Sequence, residues 1–143
     1  MRAAASRPQS VLFVCERNAV RSRLAEAVAR FHFGKQIYIA SAGIRPGEAD
    51  PFVAAVLAEA GIPAPASEAQ AFDDLHDVAF DLIVTLSPEA HHRALELTRT
   101  QAVTVEYWPT FDPTAQEGNR AQRLAAYRDV LAALTTHVLE RLG

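Results

Sequence analysis

The stretch Val11-Leu12-Phe13-Val14-Cys15-Glu16-Arg17-Asn18-Ala19-Val20-Arg21-Ser22 holds an apolar run, a polar loop and the start of a helical pattern. Four consecutive apolar residues, Val11 to Val14, read as a strand buried on both faces. After the loop, Val20, Leu24, Val28 and Phe31 recur at helical spacing, which predicts a helix from about Ala19 to Phe33, ended by Gly34. The junction is thus a strand, a short loop containing Cys15, five residues and Arg21, and a helix.

Outward from this junction the alternation continues. Ile37 to Ala40 reads as a second strand. Asp50-Pro51 is an N-cap followed by a first-turn proline, opening a helix that carries Val53, Val56, Leu57 and Ala60 and closes at Gly61. Asp81 to Leu86 is a third strand, and Ser87-Pro88 starts a short helix. Ala102 to Tyr107 is a fourth strand. Asn119 with Gln122 resembles a capping box for a last helix that runs to about Leu142, with Leu124, Tyr127, Leu131, Leu134 and Val138 on one face. Strands alternating with helices imply βαβ units and a parallel sheet with right-handed crossovers. The expected fold is a flavodoxin-like α/β domain: a three-layer sandwich, four parallel strands with helices on both faces. Ligands of such sheets bind beyond the carboxyl ends of the strands. The loops after Val14, Ala40, Leu86 and Tyr107 are therefore expected to converge on one site.

The first of those loops has the parts needed to hold a tetrahedral oxyanion. Backbone N–H groups of Glu16, Arg17, Asn18, Ala19, Val20 and Arg21, in a tight loop before a helix, make an anion nest, and the helix dipole adds positive potential. Arg21 offers a planar fork for two oxygens. The same field favours Cys15 as a thiolate nucleophile, and Ser22 can donate its hydroxyl to the sulfur. Asn18 tolerates the left-handed backbone that a sharp loop requires.

VLFVCERNAVRSRLAEA, together with Ser41-Ala42-Gly43-Ile44, Asp81 to Leu86 and Trp108-Pro109-Thr110-Phe111-Asp112-Pro113, resembles the low-molecular-weight protein tyrosine phosphatases. The thioredoxin-coupled arsenate reductases share that fold and loop. The resemblance runs from about residue 10 to the C-terminus. It implies Cys15 as nucleophile, Arg21 as phosphate clamp and Asp112 as general acid, with Asn18, Ser22 and Ser41 supporting the loop. It implies a phosphocysteine intermediate hydrolysed by water, with no metal and no organic cofactor. Four features depart from the family. Arg17 stands where glycine is usual and Arg23 where proline is common. Thr114 and Ala115 replace the tyrosines that often follow Asp-Pro. No aromatic lies between Ile44 and Asp50. These departures bear on the choice of substrate more than on the chemistry. The arsenate reductases relay a disulfide through two further cysteines, at positions that here hold Ser87 and Ala94.

Bulk properties bound the rest. The 143 residues carry a net charge of −3, half are hydrophobic, and there is one cysteine. That length suits one domain, expected over residues 9–143 after a loose tail at residues 1–8. A basic face for nucleic acid is not expected. No apolar run reaches the roughly 18 residues of a membrane span. A lone cysteine suits a reducing compartment such as the cytoplasm. Adjacent His91 and His92 do not share a helix face and are expected on the surface. Asp73 and Asp74 precede the third strand and are expected at the opposite edge or on a covering loop. Ser87 is expected as a helix N-cap. Tyr107 and Trp108 either wall the cleft or pack at the strand end. The substrate class is a phosphorylated protein or a small phosphate ester, or arsenate. The alternatives to a phosphatase are a single-cysteine arsenate reductase with an external thiol or glutaredoxin-like partner, and a non-catalytic oxyanion-binding module.

Overall fold

The computed structural model describes residues 7–75 and 78–143. The Val11–Val14 run forms β1 (Ser10–Cys15), and every residue from Val11 to Cys15 is buried. The remaining elements are α1 (Arg21–Phe33), β2 (Tyr38–Gly43), α2 (Pro51–Glu59), β3 (Leu82–Thr85), α3 (Pro88–Leu97), β4 (Thr104–Tyr107) and α4 (Arg120–Leu142), with short 3-10 turns at Phe72–Leu75 and Pro113–Ala115. The four strands are parallel in the order β2-β1-β3-β4. The sheet is the expected flavodoxin-like α/β architecture, with β1 at an interior position.

Strand alternation sorts the core into two layers. Val11, Phe13 and Cys15 of β1 face a cluster completed by α1, α2 and α4, including Leu24, Val28, Val56, Leu57, Tyr127 and Leu134. Leu12 and Val14 face the opposite cluster, with Ile83 and with Ala90 and Ala94 of α3. Burial on both faces is why β1 reads as an unbroken apolar run.

The helix ends follow local chemistry. Asp50 accepts a hydrogen bond from Phe52 N at 2.9 Å, Ser87 from Ala90 N at 3.2 Å, and Asn119 and Gln122 form the reciprocal capping box. Asp50 also accepts from Tyr127 Oη at 2.5 Å, tying the start of α2 to α4.

Several boundaries differ from expectation, and β3 and β4 are shorter than the expected Asp81 to Leu86 and Ala102 to Tyr107. Helix α1 begins at Arg21, so Ala19 and Val20 stay in the loop. β2 extends to Gly43, because its register with β1 continues through Cys15. Residues 1–6 of the expected tail lie outside the described residues, whereas Arg7 donates to Leu142 O at 2.9 Å and lies over the Phe33 ring, and Pro8 is buried. Among the described residues, no helix is long and apolar enough to cross a membrane.

Candidate active site

The loop from Cys15 to Arg21 is moulded by its neighbours. The carbonyls of Cys15, Glu16 and Arg17 accept from the N–H groups of Ile44, Arg45 and Gly47 at 3.1, 2.7 and 2.8 Å. In a planar trans peptide the N–H points opposite to the carbonyl. The amides of Glu16 and Arg17 therefore face away from the 44–47 segment. Gly43 is required by close approach: a Cβ there would lie 2.5 Å from Asn18 N. The glycine of the Ser41-Ala42-Gly43 signature is thus explained by the loop that crosses it. Asn18 takes φ 53°, the left-handed conformation anticipated for the turn. Helix α1 has no side-chain cap at Val20. Its first-turn amides lack intrahelical partners, as in any helix, and open toward the loop.

Beneath the loop lies a chain of buried polar groups. Ser22 Oγ is 3.0 Å from Cys15 Sγ. Asn18 Nδ2 donates to Ser22 Oγ at 2.8 Å and to Ser41 Oγ at 2.9 Å. Asn18 Oδ1 accepts from Gln70 N at 3.0 Å. Ser41 Oγ donates to Glu26 Oε1 at 2.5 Å. Glu26 is only 2% exposed, and a carboxylate at that depth needs charged partners. Arg30 supplies one at 2.7 Å and Arg23 another at 3.5 Å. Arg30 also donates to Ile39 O, and Arg23 to the Ser67 carbonyl. Glu26, Gln70 and Arg30 were not singled out from the sequence, and Arg23 was noted only as standing where proline is common. Glu26 falls at i+4 from Ser22, on one helix face, which was the available signal.

Beside the loop is a cleft of about 530 Å³. Its lining includes Cys15, Glu16, Arg17, Ala19, Val20 and Arg21 from the loop after β1, Glu48 to Pro51 from the loop after β2, and Asp112 and Thr114 from the segment after β4. Arg21 Nη1 donates to Thr110 O at 3.2 Å, and its Nη2 lies 3.9 Å from Asp112 Oδ2. Asp112 Oδ1 accepts from Thr114 N and Oγ1 at 3.0 and 2.7 Å. One carboxylate oxygen is thus held locally and the other faces Arg21. The Arg17 guanidinium lies along Gly47, where an added Cβ would come within 2.8 Å of its Nε.

Only three of the four expected loops reach the cleft. After β3 the chain enters α3 at once, with Ser87 and Leu86 fully buried, so that segment supports the floor. Ser87 is the N-cap anticipated for it. Tyr107 and Trp108 do not line the cleft. Trp108 packs edge-on against Phe13 and 4.7 Å from His137, and Tyr107 stacks on His91 at 4.7 Å. His91, expected on the surface, is half-buried, and its Nδ1 pairs with Thr85 Oγ1 at 2.8 Å, whereas His92 is exposed. Asp73 pairs with Arg93 of α3 and does not line the cleft. Among the described residues no group of His, Cys, Asp and Glu could hold a metal ion.

The chain matches the profile of the low molecular weight phosphotyrosine protein phosphatase family over residues 10–134. It belongs to that family. An arsenate reductase of Bacillus licheniformis is 30% identical over 124 residues, covering 85% of this chain and 86% of that protein. The crystal structure of an arsenate reductase from Archaeoglobus fulgidus superposes with a TM-score of 0.72 at 29% identity, over 93% of this chain and 98% of that one. A tyrosine phosphatase of Erwinia amylovora gives a TM-score of 0.78 over 96% and 93% of the two chains, at 21% identity, and shares the fold. Family membership makes the chain a cysteine-dependent enzyme of the phosphatase or arsenate reductase kind.

Proposed function

We propose that the protein hydrolyses phosphomonoesters, of the protein phosphotyrosine type, through a phosphocysteine. The observation that carries this reading is the meeting of Cys15, Arg21 and Asp112 on one cleft, with Asp112 Oδ2 3.9 Å from the Arg21 guanidinium. Arg21 and the loop amides of Glu16, Arg17, Asn18, Ala19 and Val20 hold the phosphoryl oxygens, in the geometry of a bidentate fork over an amide nest. The Cys15 thiolate attacks phosphorus. A sulfur–phosphorus bond forms as the bond to the leaving oxygen breaks, and that oxygen takes a proton from Asp112. Asp112, now ionised, accepts a proton from water. The water oxygen attacks phosphorus and the thiolate departs. Ser22, Asn18 and Ser41 support the sulfur and the loop throughout.

Arsenate reduction is the second reading, favoured by the arsenate reductases among the relatives. Arsenate has the shape and charge of phosphate, so the same cleft would hold it. Reduction of arsenic(V) to arsenic(III) takes two electrons, and the chain has one cysteine. An external thiol would attack the Cys15 adduct and supply the second sulfur of the resulting disulfide. Parallel assays on an aryl phosphate without thiol and on arsenate with a monothiol separate the two. Phosphate release without thiol is expected. Arsenite release with no phosphatase turnover would overturn the first reading in favour of the second.

A further inference from the structure

The first turn of α4 runs against the usual charge preference. The positive end of a helix dipole favours acidic residues and disfavours cations. Helix α4 opens instead with Arg120, has no acidic residue in its first turn, and carries Arg123 three residues on. The two guanidiniums, like in charge, each lie 5.0 Å from the centre of the Phe52 ring. Both residues are exposed, and neither guanidinium makes an ion pair or hydrogen bond among the described residues. By contrast, Arg45, Arg93 and Arg128 each hold a carboxylate. A local rule broken with no compensating contact marks a surface kept for function.

The arginine pair stands at the edge of the cleft. Phe52, under both guanidiniums, directly follows Pro51 of the cleft wall. Tyr127, on the same face of α4 as Arg120 and Arg123, donates to Asp50 of that wall. Both oxygens of Asp50 are engaged, one by Phe52 N and the other by Tyr127. The loops after β1 and β2 bring Glu16 and Glu48 into the cleft lining beside Arg17, a surface of mixed sign, whereas the first turn of α4 carries positive charge alone.

We propose that Arg120 and Arg123 are specificity residues: they bind an acidic side chain, Asp or Glu, flanking the phosphorylated residue of a protein substrate. A guanidinium presents a planar fork that matches a carboxylate. Packing on Phe52 holds both forks in place, so less side-chain freedom is lost when the acidic group arrives. The phosphoryl group is left to Arg21 and the Cys15 loop, and the pair acts on the flank.

This inference rests on the reading of the cleft as a site for phosphorylated protein, so its test reads binding and not turnover. Two phosphotyrosine peptides, identical except for glutamates or glutamines on both sides of the phosphotyrosine, are titrated into Cys15→Ser protein by fluorescence anisotropy at low and at high salt. The same background carries Arg120→Gln, Arg123→Gln, both Gln changes together, and Arg120→Lys with Arg123→Lys, with thermal unfolding alongside. The glutamate peptide is expected to bind about tenfold more tightly than the glutamine peptide at low salt, the size of two exposed charge pairs. The ratio is expected to shrink at high salt as the contacts are screened. It is expected to approach one in the double Gln variant and to return in large part in the double Lys variant, which keeps the charge. Equal affinities for the two peptides, no binding of either, or a preference that survives in the double Gln variant overturns the proposal. Should that variant not fold, a ratio unchanged in both single variants overturns it. Wild-type protein that hydrolyses neither peptide nor an aryl phosphate would sink the assigned activity, and the binding ratio would still decide this inference.

Discussion

Arg21 Nη2 and Asp112 Oδ2 stand 3.9 Å apart on one cleft, although 91 positions separate them in the chain. Arg21 begins α1, and Asp112 follows β4. The other oxygen of Asp112 is held by Thr114, so the carboxylate presents a single edge to the site. Asp112→Asn keeps the shape and removes the proton. On phenyl phosphate, a poor leaving group, kcat is expected to fall about 10²–10⁴-fold. On an activated nitrophenyl phosphate the fall is expected to be far smaller. Equal small losses on both substrates would assign Asp112 to its turn and not to proton transfer.

Cys15→Ser exchanges sulfur for oxygen at a buried strand end. A serine hydroxyl is far less ionised than a thiol, so turnover is expected to reach background. Inorganic phosphate is still expected to bind, because the amide nest and Arg21 are untouched. Steady-state hydrolysis and phosphate titration check the two halves, and wild-type turnover in this variant would remove the covalent mechanism.

Gly43 has no room for a side chain. Gly43→Ala places a methyl 2.5 Å from Asn18 N, so strand or loop must shift. The expected cost is about 1–3 kcal/mol of stability, typical of overpacking, together with a loss of activity as Asn18 moves. Urea unfolding and hydrolysis assays measure both. A stability loss below about 0.5 kcal/mol would show that the loop yields freely at this contact.

Arg17 folds along Gly47 and its carbonyl binds Gly47 N. Arg17→Gly removes the guanidinium and leaves the backbone bond. Activity on a small aryl phosphate is expected to be kept or raised. A collapse in kcat/KM would make Arg17 part of the substrate site.

Burial and the hydrogen bond to Asp50 hold the Tyr127 hydroxyl well above the ordinary tyrosine range. Its folded-state value is raised, so the stability it contributes is fully present below the unfolded value of 10.0 and is lost as pH rises through and beyond it. Wild type is expected to lose stability over that alkaline range, and Tyr127→Phe to lose less. Denaturant unfolding at stepped pH values checks the difference; parallel curves would contradict it.

The local chemistry of this chain was legible without any fold. An apolar run with no alternation signals a strand buried on both faces, and Asp50-Pro51, Ser87-Pro88 and Asn119 with Gln122 announce their helix starts through caps that act within three residues. Cys15, Arg21 and Ser22 stand close together between an apolar strand run and a helical pattern, and that local setting pointed to them. Asp112 was implied by the resemblance, and it reaches the cleft because it follows the fourth strand and parallel strands deliver their following loops to one edge. Tertiary structure decided what depends on distant approach. The Gly43 requirement appears only when the Cys15 loop crosses β2. The two walls of Trp108 are Phe13 and His137, far apart in sequence, which is why it fills core space and not the cleft. Glu26 is one charge among several on α1, yet packing against β2 buries it beneath Ser41. A buried carboxylate must find donors: helical spacing within α1 sets Arg23 and Arg30 beside Glu26, and the fold adds Ser41 from β2.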